Sequence, residues 1–138
     1  MKNAICTAFG IFSGVVASAF GGWSATLTTL LIFMGIDYVT GLVVGGVFHK
    51  SPKTETGALE SRAGFKGLIK KFMLLLLVLI AYRLDVAAGT AFIKEAACIT
   101  ISVNELISIV ENAGLMGLRV PDVIKNAIEI LKKKADKF

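Results

Sequence analysis

The chain has 138 residues, 55% of them hydrophobic and 18% charged, with a formal net charge of +5 and a mean hydropathy of +0.75. A small globule has a large surface for its volume and needs polar side chains to cover it; this composition supplies too few, which excludes an ordinary water-soluble domain and calls for a lipid-facing exterior. The basic residues sit between and after long apolar runs without interleaved aromatics, which argues against nucleic-acid binding and for membrane anchoring.

The first apolar segment, 5–22, is rich in small residues. Gly10, Gly14 and Ser18 recur at four-residue spacing, so one face lets a neighbouring backbone approach; the competing reading is that small residues are simply common in membrane helices. Lys2, the short apolar run and Ala17-Ser18-Ala19 imitate a signal peptide, yet a second apolar segment follows at once instead of a polar mature sequence. Gly21 to Ser24 form an uncharged turn, with Trp23 suited to a membrane interface.

The second segment, 25–48, is long enough to cross about 30 Å of hydrocarbon. With the first it reads as a helical hairpin. Asp37 stands alone among apolar neighbours, and Gly41 and Gly45 make another small-residue step. An acid at that depth costs about 3 kcal/mol on insertion scales, so it must face a helix, a water-filled space, or be protonated. It is either a functional group or a hydrogen-bond tie between helices.

Residues 49–71 read as a basic connector. Its second half mixes Phe65, Leu68 and Ile69 with Lys66, Lys70 and Lys71, the composition of a segment lying on a membrane surface. His49 has no partner at metal-ligand spacing. The two cysteines, Cys6 and Cys98, both lie in apolar segments and form no CxxC pair.

The third segment, 72–93, opens on a Leu-rich run and carries Arg83 and Asp85, placed either at the far interface or paired with other helices. In the fourth, 96–118, Asn104, Glu105, Ser108, Glu111 and Asn112 fall within about a third of the circumference at about 100° per residue. That polar face lines a lumen or a subunit contact, or else the helix lies flat at the interface. A last amphipathic segment, 120–138, begins at Pro121 and Asp122 and presents Lys132, Lys133 and Lys134 on its basic side. These lysines suit an anionic inner leaflet.

The architecture expected is therefore a single all-α integral membrane domain: four transmembrane helices in two hairpins, followed by a C-terminal amphipathic basic helix. Positive-inside placement puts both basic stretches, and hence both termini, in the cytoplasm. Three crossings give the same placement only if the first segment stays on one side. Catalysis has no starting constellation: one His, no CxxC, no phosphate loop, and scattered carboxylates argue for no enzyme activity, no metal and no cofactor.

Four stretches then carry a family resemblance: the Gly-rich hairpin, Asp37-Tyr38-Val39-Thr40-Gly41, Gly64-Phe65-Lys66-Gly67-Leu68 with Lys70-Lys71, and the run from Ser102 to Asn112 followed by Pro121. Together they resemble the toxin-secretion/phage-lysis holin family of clostridial and other Gram-positive phages, over nearly the whole chain. The Asn-Glu-Leu run is the most specific part. The resemblance implies a membrane protein of the bacterial host that forms homo-oligomers and opens lesions. These release an endolysin, without needing direct contact with it, or assist toxin export. A stable ion channel or transporter subunit with a small polar path, using Asp37, Glu105 and Glu111, is the alternative.

Overall fold

A computed structural model describes residues 1–137. It is all-helical: α1 Lys2–Ala19, α2 Ala25–Gly46, α3 Ser61–Ala88, α4 Ile93–Leu115 and α5 Asp122–Ala135, with no strand among the described residues. Ser24 starts α2 by accepting the Leu27 amide at 3.2 Å, a side-chain cap of the usual kind. Between α1 and α2, Gly21 holds a positive φ of 79°, and a Cβ there would run into the Tyr82 ring. Gly89 closes α3 in the left-handed conformation, where a side chain is disfavoured.

Two expectations change. Residues 61–71, expected in the connector, are the first turns of α3. Their Phe65, Leu68 and Ile69 continue the apolar surface of that helix, and Gly64 lets Tyr38 approach, its hydroxyl donating to the Gly64 carbonyl at 3.3 Å. The second change concerns the membrane. By length and apolar composition two helices among the described residues qualify as spans on their own, α1 and α2, not the expected four. Charged residues inside the helices are the reason: Lys71, Arg83 and Asp85 in α3, and Lys94, Glu95, Glu105 and Glu111 in α4.

Helices α2, α3 and α4 form a bundle, with α4 packed most extensively on α2. Lys94, early in α4, reaches the turn before α2, and Asn112, late in α4, reaches Thr40, late in α2. These two helices therefore run in the same direction. Lys71, early in α3, meets Asp37, and Tyr82, late in α3, meets Gly21, so α3 runs the opposite way. The centre is Leu27, Leu30, Met34, Val78 and Cys98, all buried. In lipid such packing gains dispersion and not hydrophobic free energy, since lipid tails are as apolar as leucine.

The outside is apolar as well: Ile32, Ile36 and Val39 on α2 and Phe72, Leu77, Ile80 and Leu84 on α3 are exposed. Helix α5 packs on α4, with Ile128 as its buried residue. Helix α1 stands apart, and Ala17 near its end is its one buried residue.

Candidate functional site

Three charged side chains, one from each helix of the bundle, meet in its interior. Lys71 of α3 places Nζ 2.7 Å from Asp37 Oδ2 of α2 and 2.6 Å from Glu105 Oε2 of α4. Their side chains are 15%, 8% and 7% exposed. Lys71, expected among the membrane-surface lysines, thus sits inside the bundle. Its long stem crosses apolar surface and delivers the ammonium to the two acids, as lysine stems commonly do.

Helical spacing builds the rest of the cluster. Glu105, Ser108 and Asn112 are three and four residues apart and share one face of α4. Asn112 Nδ2 donates to Asp37 Oδ1 at 3.1 Å and to Thr40 Oγ1 at 2.8 Å. Thr40 in turn donates to the Ile36 carbonyl at 2.8 Å. Ser108 lines the same cleft as Asp37. Each acid therefore has a defined partner, the condition on which a buried charge is tolerated.

A cleft of about 270 Å³ leads to the cluster from the connector end of the bundle. Lys53 and Glu60 of the connector, Lys70 of α3 and Glu111 of α4 stand on its rim, and Asp37, Lys71 and Glu105 line its depth. The polar face expected on α4 is thereby divided. Glu105, Ser108 and Asn112 turn to the cluster and cleft, whereas Asn104 and Glu111 are exposed.

The small-residue positions also separate. Gly41 lies beside the Asn112 amide, and Gly45 packs against the Leu59 backbone of the connector, where a Cβ would come within 3.2 Å of Leu59 Cα. Gly10 and Gly14 have nothing near them, and Ser18 is exposed. Lys66, Lys70, Lys132, Lys133 and Lys134 are exposed.

A second polar cluster at the opposite end was not identified from sequence. Asp85 accepts the Thr90 hydroxyl at 2.7 Å and the amides of Ile93 at 2.9 Å and Lys94 at 2.8 Å. An anion there satisfies free amides of the first turn of α4 and complements its dipole. Lys94 Nζ donates to the carbonyls of Phe20 and Gly22 and lies 5.6 Å from the Tyr82 ring centroid. This end ties the α1–α2 turn to the α3–α4 turn.

The chain is similar to proteins of several bacteria and of a Bacillus phage. A family model described as the bacteriophage holin family matches residues 14–133. An uncharacterized protein of Halalkalibacterium halodurans is 41% identical over 128 residues, covering 88% of this chain and 89% of its own. One from Listeria monocytogenes is 38% identical over 130 residues, 92% of this chain and 87% of its own. A more distant relative, from Bacillus phage phi105, is named "Probable holin"; it is 25% identical over 111 residues, covering 80% of this chain and 76% of its own. No solved structure matches the chain.

Proposed function

The chain belongs to the bacteriophage holin family, and on that premise we propose that it accumulates in the cytoplasmic membrane, assembles with copies of itself and opens lesions. Such lesions pass an endolysin to the cell wall or, in a toxin locus, a toxin out of the cell. The observation that carries this reading is a bundle with apolar residues outside and a charged cluster inside. That distribution suits a protein whose solvent is lipid and whose charges are paired with one another in the interior.

The multi-pass topology belongs to the same proposal. Helix α2 has 22 residues, about 33 Å at 1.5 Å per residue, and α3 and α4 lie alongside it. They cross as companions of α2, their charges paired in the interior, and not as independently apolar spans. With α1, this returns both termini to the cytoplasm and leaves the basic connector and α5 on that side.

The cleft supports one competing reading, a stable channel or transporter subunit whose polar path ends at the cluster. Inducible expression in a bacterium, with and without a co-expressed endolysin, separates the two. A lesion former abolishes viability in both strains, and turbidity collapses abruptly only where the endolysin is present. Ion-selective currents with unchanged viability would overturn the proposal in favour of the channel.

A further inference from the structure

The central cluster is not balanced in charge. Two carboxylates face one ammonium, so full ionisation leaves one negative charge within the bundle. The rim does not correct this. Lys53 and Lys70 there are matched by Glu60 and Glu111, and all four are exposed to solvent that screens them. The Tyr38 phenol is engaged with the Gly64 carbonyl. An uncompensated charge at the depth of a membrane span is expensive.

The geometry also gathers the two acids around one cation: Lys71 Nζ lies 2.7 Å from Asp37 Oδ2 and 2.6 Å from Glu105 Oε2, with both carboxyl groups buried. Ionised carboxylates only accept, so neither acid can satisfy the other unless one of them carries a hydrogen. We propose that Asp37 and Glu105 form a proton-binding site, loaded with one proton through the cleft, which brings the cluster to neutrality.

The hydrogen-bond inventory says which acid holds the proton. Asp37 receives Lys71 and Asn112, while Lys71 alone donates to Glu105. Donors favour the ionised form, so Glu105, with fewer of them, is the acid that takes the proton. Binding forms an O–H bond on a Glu105 oxygen with a proton taken from water in the cleft, and the formal charge of the cluster goes from −1 to zero. As in other carboxyl pairs, the titration belongs to the pair.

This inference is independent of lesion formation. It rests on the bundle being embedded in lipid, so the test reports the two separately. The full chain is reconstituted in vesicles of phosphatidylcholine and phosphatidylglycerol, washed with alkaline carbonate, and examined by infrared difference spectroscopy across pH in light and heavy water. The expected result is a protonated-carboxyl C=O band at neutral pH. It should disappear in Glu105→Gln and in Asp37→Asn, each of which leaves a single carboxylate balanced by Lys71, and persist in Glu111→Gln. Inserted wild-type protein without the band would overturn the site, including the case where potassium or sodium stabilises the chain in the proton's place. So would a band unchanged in either Glu105→Gln or Asp37→Asn. A chain stripped from the vesicles by carbonate would overturn the embedded reading, and the site with it.

Discussion

Lys71 holds together residues that nothing local connects, since Asp37 and Glu105 each lie 34 positions away along the chain. Replacing it with Met preserves the stem and removes the charge, leaving two acids with no cation between them. Breaking a buried pair in this way costs roughly 3–5 kcal/mol. Lys71→Met should therefore reach the membrane at much lower abundance and lose resistance to proteolysis. Lys71→Arg, which keeps the charge but presents a planar fork in place of a compact ammonium, should fall between the two. Lys70→Met, one residue away on the exposed rim, should behave as wild type, and equal loss at both positions would contradict the interior role. Asp85 makes a parallel case at the other end of the bundle. Asp85→Ala strips the acceptor from the Thr90 hydroxyl and from the amides of Ile93 and Lys94, so the melting temperature in lipid should drop. Asp85→Asn, with one remaining oxygen, should recover part of the loss.

Among the described elements, α1 is the one that packs least on the others, with Ala17 as its one buried residue. Gly14 faces open space, so Gly14→Leu disturbs no contact inside one copy. If α1 meets a second copy through Gly10, Gly14 and Ser18, the added side chain holds the helices apart. Crosslinked oligomers should then weaken and lysis be delayed at unchanged abundance. Unaltered ladders and timing would remove α1 from the assembly. Helix α4 allows the opposite separation, because its polar residues face two ways. Glu105→Leu takes a member from the interior cluster and should reduce the amount of folded protein. Asn104→Leu with Glu111→Leu alters the exposed side, and should leave abundance intact while abolishing lysis if that side lines a lumen or a subunit contact. Lysis at normal timing by the exposed-side double variant at matched abundance would eliminate that role.

The existence of five helical segments was legible from apolar runs and the Pro121-Asp122 start, because those signals are local. The beginning of α3 was not, since glycines and lysines between 61 and 71 have the composition of a connector whether or not they are helical. Asp37 stood out as a lone acid among apolar neighbours, but its cation did not. Helical periodicity relates residues three and four apart, and it carries no information about a lysine on another helix. For the same reason the α4 polar face could be recognised and its division into interior and exposed halves could not. The Asp85 cluster was not legible because its donors, the Thr90 hydroxyl and the Ile93 and Lys94 amides, belong to the α3–α4 turn and the start of α4, whose path is set by packing.

At the scale of the whole molecule, charge is distributed unevenly between the two ends of the bundle, and this makes orientation testable. Lys50, Lys53, Arg62, Lys66 and Lys70 gather around the connector end. Lys125, Lys132, Lys133, Lys134 and Lys137 follow α4, which finishes at that same end because it runs parallel to α2. At the other end stand Arg83 and Lys94, the latter already engaged by two backbone carbonyls. Retention of Lys and Arg on the cytoplasmic side then fixes the connector and α5 inside, whether the chain crosses twice or four times. Single cysteines at Lys53→Cys and Lys134→Cys, in a chain whose Cys6 and Cys98 have been replaced, should resist a membrane-impermeant thiol reagent in intact cells and react once the cells are opened. A cysteine at Ala91, in the α3–α4 turn, distinguishes the two counts. With four crossings it is labelled from outside, and with α3 and α4 remaining on the cytoplasmic side it is protected. Labelling of Lys53→Cys or Lys134→Cys in intact cells would invert the orientation, and a protected Ala91→Cys beside accessible Trp23→Cys would reduce the spans to α1 and α2.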